Sequence, residues 1–92
     1  MRSPLEPDTR LDVELSAICA RNQYTRDPEP VIAELAAAAH GRDDILTRAA
    51  GLWAGYFDSP ETHVLAMALS SIPGTNRWVE EGLRRRGVAQ QS

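Results

Sequence analysis

The residues whose types and spacing could do the most chemistry lie near the C-terminus. Arg77 is followed directly by Trp78, and Arg84, Arg85 and Arg86 form an unbroken run a little further on. Trp and Arg are enriched among the residues that anchor protein–protein interfaces. These five residues are therefore the candidate interface that the sequence predicts. A plainer interpretation of the run is that cations in the last turn of a helix stabilise its negative end.

Residues 70–86 suggest a second use for these arginines. The segment reads as a helix, a turn that contains Pro73-Gly74, and another helix, which resembles the outline of a helix-turn-helix DNA-binding motif. Glu80 and Glu81 oppose this interpretation, because they lie in the middle of the would-be recognition helix and repel the DNA backbone. The net charge of −3 opposes it too, since DNA-binding domains are usually basic. A DNA-binding regulator is therefore the alternative hypothesis, and the sequence argues against a nucleic acid as the partner.

Catalytic and metal-binding patterns are weak throughout the chain. His40 and His63 are the two histidines, and Gly41 breaks the helical spacing between His40 and the acids that follow it. Cys19 is the single cysteine, which excludes an internal disulfide, and its place on an apolar helix face indicates a buried thiol. No serine lies in a nucleophile elbow, and no glycine-rich segment has a phosphate-binding spacing. We therefore predict that the chain is not an enzyme and uses no metal or other cofactor.

The composition is typical of one small intracellular domain. No apolar run in the 92 residues approaches the roughly 20 residues that a membrane span needs, and the N-terminus lacks the apolar core of a signal peptide. We predict a soluble, cytoplasmic protein with no membrane partner. All ten cationic residues are Arg, which is typical of a GC-rich genome and favours a bacterial or phage source. Thirteen alanines make the core thin, so a second copy or a partner would add stability.

Apolar residues recur every three or four positions over five segments, and strand-like alternation is almost absent. We predict an all-α fold, a compact bundle of about five short helices. The predicted helices span residues 10–23, 28–40, 44–57, 60–72 and 76–86. Residues 9–87 form the single helical domain, with a flexible arm over 1–8 and a flexible tail over 88–92. The helix packing stays open, because several arrangements of five helices bury the same apolar faces.

The third helix is expected at the centre, because apolar residues cover most of its circumference. Trp53 is the aromatic residue that we expect in the core, and Trp78 is the one that we expect at an interface. Gly51 and Gly55 each cost about 1 kcal/mol relative to Ala inside a helix. We expect a close approach of two helix backbones in return, with the alanines at 36–39 of the second helix as the matching surface.

Several residues predict where the helices begin and end. Thr9 is expected to cap the first helix, with Asp12 three residues on as an approximate capping box, and Ser59-Pro60 is expected to start the fourth. Gly87 is expected to end the fifth helix. Val64 belongs to the apolar face of the fourth helix, which we expect to be buried.

Together these observations predict a small helical module for protein–protein interaction or regulation. The thin core and the aromatic–arginine pair favour an exposed contact surface. A homodimer is one form that the module could take.

Overall fold

The computed structural model describes the backbone of residues 7–57 and 59–91 and the side chains of residues 9–57 and 59–88. Within these ranges the chain forms five helices and no strand. The helices are α1 (Pro7–Arg21), α2 (Glu29–Ala39), α3 (Asp43–Tyr56), α4 (His63–Ser70) and α5 (Asn76–Gln91). The predicted all-α bundle of about five short helices is confirmed.

Helix α3 lies at the centre of the bundle and packs against each of the other four helices. Small side chains such as Ala49, Ala50 and Ala54 let its neighbours approach on several sides, and all three are buried. Trp53 is 6% exposed, so its predicted place in the core is confirmed. The central position of this helix follows from its broad apolar circumference, as the sequence predicted.

The core is supplied by the first four helices. Leu15, Leu35, Ile45 and Leu65 come from α1, α2, α3 and α4 respectively, and each is fully buried. Helix α5 differs, because the apolar side chain that it packs against this core is the half-buried Val79. The attachment of α5 must therefore depend on something other than large buried side chains.

Three glycines attach α5 to α3. A Cβ atom on Gly51 would lie 2.5 Å from the Trp78 Cβ, and a Cβ atom on Gly82 would lie 2.5 Å from the Leu52 carbonyl oxygen. Gly55 faces the Val79 carbonyl oxygen and is equally crowded. The backbones of α3 and α5 are thus in direct contact. When helices pack, their side chains normally keep the backbones apart, so such a contact is possible only where the side chains are missing.

The predicted close approach at Gly51 and Gly55 is confirmed, but the predicted partner is wrong. These glycines meet α5 and not the alanines of α2, where Ala36 and Ala37 are exposed. The physical reason is Gly82, which gives α5 a matching gap in its own surface. A glycine on both sides allows a closer contact than a glycine against an alanine.

Both ends of α2 and α3 agree with the prediction within one residue, and α5 begins at the predicted residue 76, whereas both ends of α1 and α4 and the C-terminal end of α5 differ. Gly41 follows α2 with a left-handed φ of 82°, as expected for a helix stop. Helix α1 begins at Pro7 rather than at residue 10, so Thr9 lies inside the helix and is not its cap. Residues 1–6 of the predicted arm lie outside the described residues.

Helix α1 also ends two residues earlier than predicted, at Arg21. The side-chain amide of Asn22 donates a hydrogen bond of 2.8 Å to the Ile18 carbonyl oxygen. The Thr25 amide then donates to the Asn22 carbonyl oxygen at 3.0 Å, which closes a turn. These side-chain and turn bonds replace the next helical bonds, as is common for Asn and Thr at helix ends.

Helix α4 is shorter than predicted, because threonine side chains at both ends bind the backbone. The Thr62 hydroxyl donates to the Phe57 carbonyl oxygen at 2.7 Å and accepts from the Ser59 amide at 3.0 Å, which holds residues 59–62 in a turn. The fully buried Thr75 hydroxyl lies 3.0 Å from the Ser70 carbonyl oxygen and 2.7 Å from that of Ile72. Such local bonds compete with continuation of a helix.

Helix α5 runs to Gln91, so the predicted end at residue 86 is wrong and residues 88–91 lie in the helix rather than in a tail. A glycine ends a helix when it takes a positive φ. Gly87 is not among the described glycines with positive φ, which are Gly41 and Gly74. None of the described helices is long and apolar enough to cross a membrane.

Candidate functional site

The predicted interface residues Arg77 and Trp78 contact each other within α5. The Arg77 guanidinium carbon lies 4.7 Å from the centroid of the Trp78 ring, which is a cation–π distance. Trp78 is half-buried, and its Cβ rests on Gly51 of α3. The Trp78 ring therefore has its own arginine on one face, and Arg77 remains exposed at the surface.

The arginine run of α5 is partly neutralised by Glu81. The Arg84 Nε donates to a Glu81 carboxylate oxygen at 3.0 Å, and the Arg85 Nε donates to the same carboxylate at 2.8 Å. Hydrogen bonds from Arg84, and next from Arg85, lower the pKa of Glu81, and the carboxylate in turn raises the pKa of Arg84. Arg86, the third residue of the run, is half-buried. The run thus presents less positive charge than its sequence indicates.

A groove separates α4 from α5, because both helices pack on α3. Its volume is about 120 Å³. The residues that line it, which we call the apolar groove, are Ala54, Gly55, Ala66, Met67, Ser70, Val79 and Leu83. None of these described lining residues carries a charge, so the groove is suited to an apolar side chain.

Large apolar side chains stay exposed on α4 and α5, and two of them, Met67 and Leu83, line the apolar groove. Val64 is 41% exposed, Met67 is 56% exposed and Leu83 is 50% exposed. The expectation that Val64 is buried is therefore wrong. Since α5 lies on α3, it does not cover the outer side of α4. The sequence signal that could have revealed this surface is the composition of α4, which has apolar residues on its outer side as well.

A larger pocket of about 360 Å³ lies where α1, α3 and α5 meet. Three aromatic rings form one wall. The Trp53 and Phe57 ring centroids are 4.5 Å apart, and those of Tyr56 and Phe57 are 4.8 Å apart. The residues that line the pocket, which we call the aromatic pocket, are Asp12, Ser16, Ala49, Leu52, Trp53, Tyr56, Phe57, Gly82 and Arg85. Its volume is within the range of about 300–1,000 Å³ that is usual for small-molecule sites.

Asp12 is the acidic residue of the aromatic pocket. Its Oδ1 atom is buried and has no hydrogen-bond partner, and the Arg48 Nε forms an ion pair with it at 3.9 Å, beyond hydrogen-bond distance. Sequence reasoning missed this residue because it treated Asp12 as part of a cap that starts from Thr9. The available signal was the spacing of Asp12 and Ser16, which lie one helical turn apart beside the apolar face of α1.

The remaining candidates for chemistry lie apart from both cavities. Cys19 is fully buried, as predicted, and this burial raises the pKa of its thiol to about 12. A thiol with so high a pKa is a poor nucleophile. His40 ends α2 with a left-handed φ of 52°. In the described part of the chain, no three His, Cys, Asp or Glu side chains gather as a metal site would require.

Comparison with protein-family models gives no match, and comparisons with curated proteins and with solved structures give no significant match either. The two cavities and the surfaces around them are therefore the features of the described residues that bear on function.

Proposed function

We propose that this chain is a small helical interaction module that binds a second copy of itself through the apolar groove. The observation that carries the proposal is the exposure of Met67 and Leu83, which line this groove, and Val64 is exposed as well, three residues before Met67 on α4. Exposed apolar side chains that lie together mark interfaces, whereas isolated ones are normal on any protein surface.

The shape of the surface supports a second copy as the occupant. Met67 and Leu83 protrude beside the cavity that they help to line. In a twofold dimer the same patch is used on both copies, so these side chains of one chain can enter the groove of the other. The patch is in this sense complementary to itself.

Sedimentation velocity over a series of micromolar concentrations tests this proposal. We expect the wild-type mass to rise from 10.1 kDa towards twice that value. Met67→Glu or Leu83→Glu places a carboxylate in the apolar contact and is expected to weaken association at least about tenfold. Val13→Glu is the matched control, because Val13 is also exposed, at 55%, but lies on α1 away from the groove.

The proposal fails if the wild-type chain stays monomeric over the whole series. It also fails if Val13→Glu lowers the sedimenting mass as much as the groove variants do. Both groove positions are exposed, so circular dichroism should show unchanged helix content in each variant.

DNA binding through residues 70–86 stays the alternative proposal. The pairing of Glu81 with Arg84 and Arg85 weighs against it, because this carboxylate competes with phosphates for the same guanidinium groups. Fluorescence anisotropy with a duplex at low salt distinguishes the two proposals. Binding that falls steeply with salt, and that is lost when Arg84, Arg85 and Arg86 are all replaced by Ala, would favour the DNA-binding regulator.

A cytoplasmic location and the lack of enzymatic activity are further parts of the proposal. The free, buried thiol of Cys19 supports a reducing compartment.

A further inference from the structure

We infer that the aromatic pocket is a binding site for a small organic cation, an ammonium group carried on an apolar body. This site uses different residues of α3 and α5 from those of the apolar groove. The inference therefore does not depend on self-association.

The first argument is the buried carboxylate oxygen of Asp12. A buried acceptor without a donor is costly, and a charged one is more so. The nearest basic atom, the Arg48 Nε at 3.9 Å, is too distant for a hydrogen bond. The Asp12 side chain lines the pocket and is 34% exposed, so a ligand in the pocket can approach its carboxylate group, of which the Oδ1 atom is buried. Arg48 supplies an opposite charge at ion-pair distance but donates no hydrogen bond to Oδ1. An ammonium group on the ligand would supply a hydrogen-bond donor to this carboxylate.

The second argument is the aromatic wall. Trp53, Tyr56 and Phe57 form one continuous group of rings, with neighbouring centroids 4.5 and 4.8 Å apart. The faces of such rings attract cations, and desolvation in a pocket strengthens the attraction. The same rings offer apolar contact to the body of the ligand.

Arg85 is the cationic residue that lines the pocket, and its hydrogen-bond partners must be compared with those of Asp12. Its Nε donates to Glu81 at 2.8 Å, so it already has a carboxylate partner. Asp12 has an ion-pair partner too, Arg48 at 3.9 Å, but its Oδ1 atom accepts no hydrogen bond, so the group that lacks a hydrogen-bond partner is an acceptor. This asymmetry favours a cationic ligand over an anionic one. It also predicts that Arg85→Gln, which removes a like charge, binds the cation more tightly.

Three probes of similar shape test the inference: phenethylammonium, the neutral 2-phenylethanol and the anionic 3-phenylpropionate. Titration is followed by the indole N–H signals of the two tryptophans in ¹H–¹⁵N correlation spectra. Trp53 lines the pocket, whereas Trp78 rests on Gly51 and serves as an internal reference. The Trp78→Phe variant assigns the two signals. We expect phenethylammonium to shift the Trp53 signal at lower concentration than either of the other probes.

Asp12→Asn keeps the shape of the side chain and removes its charge. We expect it to weaken phenethylammonium binding at least about tenfold, as the loss of a charged hydrogen bond does. Glu14→Gln is the matched control, since Glu14 is an exposed acid on the same helix that does not line the pocket. It should leave the affinity unchanged.

Three results would overturn the inference. The first is an unmoved Trp53 signal at millimolar concentrations of phenethylammonium. The second is equal or tighter binding of the neutral or the anionic probe. The third is an equal effect of Asp12→Asn and Glu14→Gln on the affinity for phenethylammonium. Thermal melting of Asp12→Asn, which is expected to be at least as stable as the wild type because a buried charge without a hydrogen bond is removed, excludes unfolding as the cause of any loss.

Discussion

Replacing Gly82 by Ala would add one methyl group at the point where α5 lies on α3. The new Cβ would lie 2.5 Å from the Leu52 carbonyl oxygen and 2.9 Å from the Tyr56 nitrogen. Both atoms belong to the backbone of α3, so they cannot rotate away as the end of a side chain could. The two helices would have to separate by about 1 Å, which would loosen the contact along its whole length.

The size of the effect follows from two opposing contributions. Alanine is favoured over glycine inside a helix by about 1 kcal/mol. Overpacking of a rigid contact costs about 1–3 kcal/mol, and a clash between backbones belongs at the upper end. We therefore expect Gly82→Ala to lower the free energy of unfolding by about 2 kcal/mol net. For a chain of 92 residues this corresponds to a fall in Tm of about 10 °C.

Gly87→Ala is the matched control on the same helix. A Cβ atom at Gly87 would meet nothing within 4 Å. We expect this variant to gain up to about 1 kcal/mol from helix propensity. Urea unfolding followed by circular dichroism measures both values. The packing argument is refuted if Gly82→Ala is as stable as Gly87→Ala, because the glycine contact would then have no energetic role.

Three further outcomes follow from the contacts around single side chains. Thr75→Val removes a fully buried hydroxyl from the Ser70 and Ile72 carbonyl oxygens and should cost about 1–3 kcal/mol in urea unfolding. The pKa of Glu81 is lowered, so its ion pairs with arginine stabilise α5 fully at pH values above the usual pKa of Glu. This stabilisation is lost as the pH falls through the lowered pKa. Glu81→Gln should therefore reduce the change in helicity on the acid side of a pH titration followed by circular dichroism. Cys19, whose pKa is raised to about 12, should react with a thiol reagent only as fast as the domain opens, and rapid labelling of native protein would contradict its burial.

The sequence alone was sufficient to predict the helices whose ends depend on local residues. Helix α2 ends where His40 and then Gly41 take a left-handed φ, a conformation that glycine adopts readily, and α3 is central because its apolar residues surround the helix. The end of α5 was wrong because Gly87 stays helical, and a glycine at that position is compatible with either outcome.

The contacts between helices were harder to predict than the helices themselves. Gly51 and Gly55 indicated a close approach, but the choice of α5 over α2 depended on Gly82, thirty-one and twenty-seven residues further along the chain. Val64 is exposed for the same reason. The periodicity of α4 marks an apolar face, yet the position of α5 decides how much of that face is covered.

Neither cavity could be read from the sequence. The aromatic pocket combines Asp12 of α1 with Trp53 and Phe57 of the central segment and Arg85 of α5, and their proximity exists only in the folded chain. The predicted interface was assigned to Arg77, Trp78 and the arginine run, because those residue types are common in interfaces. That assignment stays a prediction, while the exposed apolar side chains beside it carry the proposal.

The central claim is that a second copy of the chain occupies the groove between α4 and α5. The most direct measurement is the change of ¹H–¹⁵N correlation spectra with protein concentration. The amide signals of Ala66, Met67, Val79 and Leu83 are expected to shift together as the concentration rises, and Met67→Glu should abolish these shifts. Shifts confined to α1 and α2, or spectra that do not change with concentration, would contradict the claim.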